Sequence, residues 1–202
     1  MPRLTRSFFE RPLLVVAREL VGCRLEWDGC GGRVVEVEAY GAEGDAACHT
    51  MTRASARAFV AGREAGAAYV YLNYGMYWLL NVLVKWGGQD GLILFRALEP
   101  TCGVGVMRER RGRERLEELC SGPGKLGRAL GVTGADHGVM LAGPAGRGAG
   151  GRRGVWKDHD MGPPDLVEDG RIGISRATEL PWRFSWRGHP HVSVRPAGNG
   201  RG

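Results

Sequence analysis

The chain has 202 residues and a formal net charge of +6, with 43% hydrophobic and 25% charged residues. That composition predicts one domain, residues 1–202, able to bury about two-thirds of its extended surface. It holds no run of 18 apolar residues, so no membrane span is expected, and MPRLTRSFFERP lacks the apolar stretch and cleavage site of a secretory signal, which predicts a cytoplasmic location, nucleoid-associated in a prokaryote.

In chain order, SFFERPLLVVARELVG predicts a helix with Ser7 as its cap and Glu10 as the capping-box partner. CRLEW and GRVVEVEAY predict two strands around a Gly/Asp turn. In the second, Val35 and Val37 alternate with Glu36 and Glu38, which puts both glutamates on one face; the ordinary place for such a pair is solvent. Residues 53–66 predict a short helix and a loop. AYVYLNYGMYWLLNVLVKW has the content of a hairpin turning at Gly75, although its second half equally suits a buried helix. DGLILFRAL predicts a central strand, and beyond Pro100 the pattern is helices interrupted by glycine. The run Arg108, Arg110, Arg111, Arg113 and Arg115, interleaved with Glu109 and Glu114, reads either as a solvated helix face or as a phosphate rail. GPAGRGAGGRRG, residues 143–154, predicts a mobile loop. RIGISRATELPWRFSWRGHPHVSV returns to compact structure, with Trp182, Phe184 and Trp186 alternating as in a strand, and residues 196–202 predict a flexible tail.

Five cysteines, Cys23, Cys30, Cys48, Cys102 and Cys120, are scattered without a C-x-x-C pair, and the histidines complete no zinc spacing. Reduced thiols and no structural metal are expected. The positive charge is nearly all arginine, the lysines being Lys85, Lys125 and Lys157. Arginine's planar fork suits phosphate, but a GC-rich coding bias also accumulates arginine, so charge alone decides nothing.

Four tyrosines, Tyr69, Tyr71, Tyr74 and Tyr77, fall within nine residues. An aromatic tip on a basic protein suits stacking against bases or wedging between them. Tyr69, Tyr71 and Tyr77 equally suit a core, whereas Tyr74 precedes the turn and is expected to point outward. A glycosidic bond to a purine is hydrolysed when a carboxylate activates water, and one carboxylate suffices if the leaving base is already cationic. Glu38, at the end of an apolar strand, is the candidate. His49 suits either a substrate contact or a structural hydrogen bond. Asn81 inside WLLNVLV must have its amide satisfied, by a core network or at a pocket wall. Arg96 inside LILFRAL needs a carboxylate partner or a backbone-rich pocket. SGPGK is too short for a phosphate-binding P-loop.

VVEVEAYGAEGDAACH, AYVYLNYGMYWLLNV, LFRALEP and LCSGPGKL, in this order and with LTRSFF and LLVVARELVG ahead of them, resemble the alkyladenine (3-methyladenine) DNA glycosylase family of mammalian type. The likeness spans most of the chain. It implies a mixed α/β fold, a curved antiparallel sheet flanked by helices with a protruding hairpin. It also implies catalytic roles for Glu38, which activates water, and for Arg96 beside that water. Tyr40, His49, Tyr71 and Asn81 take the base pocket, and Tyr74 the intercalating tip. Arg53, Arg57, Met76 and Tyr77 are candidate backbone contacts. The chain departs from the family after His49, where TMTRASARAF replaces a Thr-x-Arg-Asn signature, so Arg53 or Arg57 stands in for the arginine and the asparagine is missing.

The activity implied is release of alkylated or damaged purines from duplex DNA by a monofunctional glycosylase, leaving an abasic site. No lysine near the motifs offers an amine nucleophile, no cofactor is implied, and a monomer is expected. The alternative is a non-catalytic nucleic-acid-binding module, since a similar fold serves as a tRNA-binding extension of a formyltransferase. A hydrolase of free nucleosides would have no use for a protruding Tyr74.

Overall fold

The computed structural model describes residues 1–143, 153–158 and 162–195. The expected loop at 143–154 lies outside them except for its ends, as does the expected tail at 196–202. Arg153 and Gly154, assigned to that loop by composition, instead open a strand.

The order along the chain is α1 (Leu13–Leu20), β1 (Arg24–Trp27), β2 (Cys30–Gly41), α2 (His49–Thr52), α3 (Ala54–Gly62), β3 (Ala68–Asn73), β4 (Tyr77–Val84), β5 (Gly91–Cys102), α4 (Val104–Arg111), α5 (Pro123–Leu130), β6 (Arg153–Trp156), β7 (Leu166–Asp169) and β8 (Arg183–Trp186). All strand pairs among the described residues are antiparallel, in the order β3-β4-β5-β2-β1-β6. The twelve-residue β2 pairs with β5 along one edge; along the other, β1 takes its first part and β8 the stretch Glu36–Glu38. Irregular register around Val34, Glu36 and Val37 bends β2 there, and the sheet curves into a half-barrel.

Helix α1 does not begin as expected. Ser7 sits in a short 3-10 turn, where its hydroxyl bonds that of Thr5 at 2.8 Å, and Glu10 pairs with Arg6 at 2.7 Å. The helix starts after Pro12, whose missing N–H costs nothing at a helix entry. WLLNVLV is strand, not helix: β3 and β4 form a hairpin with Ala68 opposite Val82 and Asn73 opposite Tyr77.

Alternation divides the sheet into two unlike faces. Val37, Ala39, Val70, Leu80, Val82, Ile93 and Phe95 point to one side and join Val16, Ala17 and Leu20 of α1 and Leu126, Ala129 and Leu130 of α5 in the main core. Burying one such large side chain contributes about 1.5–3 kcal/mol. Helix α5 lies so close to β4 that a Cβ at Gly127 would overlap the carbonyl oxygen of Trp78; only glycine permits that approach. The opposite face carries Glu36, Glu38, Tyr40, Tyr69, Tyr71, Asn81, Leu92, Leu94 and Arg96. Helix α3 covers one end of it with Ala56, Phe59 and Val60, and the remainder is the site.

Candidate active site

Glu36 and Glu38 are fully buried, so the expectation of a solvent-facing pair is overturned. Their counter-charge is Arg96, reached across the β2–β5 ladder: its Nε donates to Glu36 at 3.0 Å and an Nη to Glu38 Oε2 at 3.1 Å. Burial works against the Arg96 charge, but the facing Glu38 and Glu36 outweigh it and hold the guanidinium pKa above its ordinary value.

The two carboxylates are then bound differently. Glu36 also takes Arg183 at 3.1 Å, the Ser193 hydroxyl at 2.9 Å and the Ser193 N–H at 2.7 Å, which pins the C-terminal segment to the sheet. Glu38 takes the Tyr40 hydroxyl on Oε2 at 2.7 Å and the Ile172 N–H on Oε1 at 2.6 Å. Carboxylate oxygens each accept two hydrogen bonds, so Oε1 keeps one lone pair unused.

Three donors to Glu38, namely Tyr40, Arg96 and Ile172, line a cavity of about 490 Å³, and Glu38 lies directly behind that wall. His49, Tyr69, Tyr71, Asn73, Tyr74 and Asn81 line it as well. The expected pocket residues are therefore brought together. Tyr40 and Tyr71 have phenol pKa values pushed up, chiefly by burial and then, for Tyr40, by the Glu38 charge; Tyr71 reaches about 12. His49 meets the Tyr71 ring edge-on, 4.3 Å between centroids, and its Nδ1 is 3.3 Å from the Tyr69 hydroxyl. Burial, with Arg53 nearby, pushes its pKa down to about 4, so the ring is neutral at pH 7. The Asn81 amide donates to the Tyr69 carbonyl at 3.0 Å, which fixes the side chain in the wall.

At the hairpin tip the Met76 N–H closes onto the Asn73 carbonyl at 3.0 Å. Tyr74 (φ 50°) and Gly75 (φ 68°) both have positive φ, as a type I′ hairpin turn requires. For tyrosine this conformation costs about 1–2 kcal/mol, and it leaves the ring 81% exposed. Met76 is 67% exposed beside it, whereas Tyr77 folds back against Gly124 of α5. Arg53 lies over the Tyr71 ring at 5.5 Å, and Arg57 is committed to the Thr50 carbonyl at 2.7 Å.

The arginine run is a mixed-charge, largely solvated face. Arg108 and Arg113 pair with Glu114 and Glu118, Arg115 lies near Glu117, and Arg110 and Arg111 donate to carbonyls of α5 and of Leu119. Two elements escaped the sequence reasoning. Residues 172–176 form one wall of the cavity, with Arg176 at its rim lacking any carboxylate partner among the described residues. Asp45 and Arg171 form a fully buried ion pair behind it. The only hint was RIGIS, an apolar interruption in a polar stretch. Among the described residues no group of three His, Cys, Asp or Glu side chains is placed to hold a metal ion, and no helix is long and apolar enough to cross a membrane.

Residues 7–190 match the family described as Methylpurine-DNA glycosylase (MPG). A protein of Rhodopseudomonas palustris (strain BisB18) named "Putative 3-methyladenine DNA glycosylase" is 45% identical over 193 residues, covering 95% of this chain and 91% of its own. Proteins of the same name are similar at 40% identity in Rhizobium etli (93% of this chain, 87% of the relative) and at 39% in Nitrobacter winogradskyi (94% and 86%). Over nearly its whole length the chain belongs by sequence to the methylpurine-DNA glycosylase family, DNA-binding hydrolases of DNA repair.

Proposed function

We propose that the protein is a monofunctional glycosylase that hydrolyses the N-glycosidic bond of alkylated purines in duplex DNA and leaves an abasic site. The observation that carries this reading is the position of Glu38. It is a carboxylate held by three hydrogen-bond donors, one lone pair unused, set behind an aromatic cavity at the foot of an exposed tyrosine hairpin.

The chain tracks the duplex by its positive charge, and Tyr74 occupies the gap as the lesion rotates out. The extruded base enters the cavity between Tyr40 and Tyr71, with His49 alongside. A base alkylated on a ring nitrogen is cationic and departs as a neutral molecule, so no acid is needed to protonate it. Water admitted beside Ile172 gives its proton to Glu38 Oε1 as its oxygen bonds to C1′ and the C1′–N bond breaks. Arg96 holds Oε2 of Glu38 and so leaves Oε1 turned to the water. Asn81, its amide fixed, narrows the pocket against the exocyclic amine of normal guanine. None of the cavity-lining residues is a lysine, which supports hydrolysis to an abasic site over strand cleavage through a Schiff base.

The test is release of free base from duplexes that each carry one defined lesion, 3-methyladenine among them. Release with the strand left intact supports the reading. Binding without release points to a non-catalytic nucleic-acid module, and equal turnover of free nucleosides to a nucleoside hydrolase.

A further inference from the structure

Three donors hold Glu38, and only Arg96 is itself fixed by Glu36. The other two, the Tyr40 hydroxyl and the Ile172 N–H, belong to elements far apart in sequence, and both lean on one side chain. The Arg171 guanidinium lies over the Tyr40 ring at 4.7 Å and over that of Trp182 at 5.4 Å. Arg171 also immediately precedes Ile172, and it ties down both ends of their segment: it donates to the Ala39 carbonyl of β2 at 2.9 Å and to the Ala177 carbonyl at 3.1 Å. Residues 171–177 thereby form an arch closed by Arg171, with Ala177 held at φ 49°.

Asp45 completes the device. It grips both terminal nitrogens of Arg171 across 126 residues of sequence, with both side chains fully buried. The same carboxylate accepts the Gly41 N–H at 3.1 Å and the Ala47 N–H at 3.0 Å, which fixes the loop leading into His49. A buried ion pair is a poor source of stability compared with an apolar replacement, so its presence here calls for another role. We propose that Arg171, held by Asp45, is a positioning residue that orients Glu38 by fixing both of its uncharged donors. The inference rests on the glycosylase reading above, since it concerns how that carboxylate is aimed.

The geometry is demanding because hydrogen bonding is directional and a displacement near 1 Å at a reacting group costs about 10²-fold in rate. Lysine at 171 keeps the charge and one bond to Asp45, but a single ammonium cannot span Asp45, Ala39 and Ala177 and has no plane to lay on Tyr40.

Two variants test this: Arg171→Lys, and the double variant Asp45→Asn with Arg171→Met, which leaves no unpaired buried charge and so protects the fold. Each is measured for single-turnover base release at saturating lesion duplex, for duplex Kd and for melting temperature. The expected result is a rate reduced about tenfold or more in Arg171→Lys and about 10²-fold in the double variant, with Kd changed by less than about threefold. A purely structural role would instead lower melting temperature, binding and rate together; that result overturns the proposal, as does a wild-type rate in both variants. If the wild-type protein itself releases no base, the glycosylase reading fails and this proposal with it.

Discussion

On one face of the β2–β5 ladder Val37 and Phe95 stand opposite each other and pack beneath α1 with no polar atom to satisfy. On the other face, one residue along, Glu38 and Arg96 are buried as deeply but only because each charge has a partner. The first face tolerates any apolar set of about the right volume. The second has one solution, since each group left unpaired would be a buried charge. The same strands thus supply stability on one side and a poised carboxylate on the other, and variants on the two sides should fail in different ways.

The largest loss of stability is expected from the apolar face. Phe95→Ala should cost about 3–5 kcal/mol in denaturant unfolding, while base release per folded molecule stays at the wild-type level below the melt. Unchanged stability would mean that the core is not where the fold is held.

Glu36→Gln comes next. Glu36, whose ordinary place by sequence would be solvent, anchors Arg96, Arg183 and Ser193. Gln still accepts hydrogen bonds, so the loss should fall somewhat below the roughly 3–5 kcal/mol of removing a buried partner outright. A denaturant midpoint equal to wild type would return Glu36 to the surface category.

At the tip, stability and function should move in opposite directions. Tyr74→Gly relieves about 1 kcal/mol of left-handed backbone strain, so the melting temperature should hold or rise. Binding to lesion duplex should weaken by about 1–3 kcal/mol, the worth of one stacking contact, and a fluorescent base analogue beside the lesion should report less unstacking. Full unstacking in the variant would remove Tyr74 from the wedge role.

Acid should weaken the site face through His49. Its folded pKa lies at about 4 against 6.5 for the free side chain. Between those values the unfolded chain takes up a proton that the folded one refuses, so the contribution is complete above pH 6.5 and is lost as pH falls toward 4. His189 and His191, also lowered by burial, act in the same sense. Melts of His49→Phe between pH 7 and 4 should show a shallower decline than wild type; parallel curves would contradict this.

The smallest effect concerns Arg176 at the cavity rim. If it meets a backbone phosphate, Arg176→Ala should reduce the slope of log affinity against log salt by about 0.9. An unchanged slope would leave the rim electrostatically idle.

What was legible in the sequence followed from local pattern. Period-two alternation announced β2, the apolar run of DGLILFRAL announced β5, the tyrosine spacing around Gly75 announced the hairpin, and a charge inside LILFRAL demanded a partner that Glu36 and Glu38 supply. The unread parts depend on long-range pairing. Nothing near Asp45 signals Arg171, and the arch at 171–177 is held by side-chain bonds to carbonyls, which leave no periodic trace. Ser7 carried a cap signature, yet Pro12 determined the helix start. Strand β6 opens at Arg153 inside a glycine-arginine stretch whose composition reads as loop.

The central claim is that Glu38 is the base that activates water, and one measurement addresses it most directly: single-turnover release from a 3-methyladenine duplex by Glu38→Gln, with binding followed in parallel. Glutamine keeps the shape and the hydrogen bond from Ile172 but cannot take up the proton. The rate should fall by at least about 10²–10⁴-fold, with affinity for the lesion duplex within a few fold of wild type. Release at near wild-type rate would contradict the account.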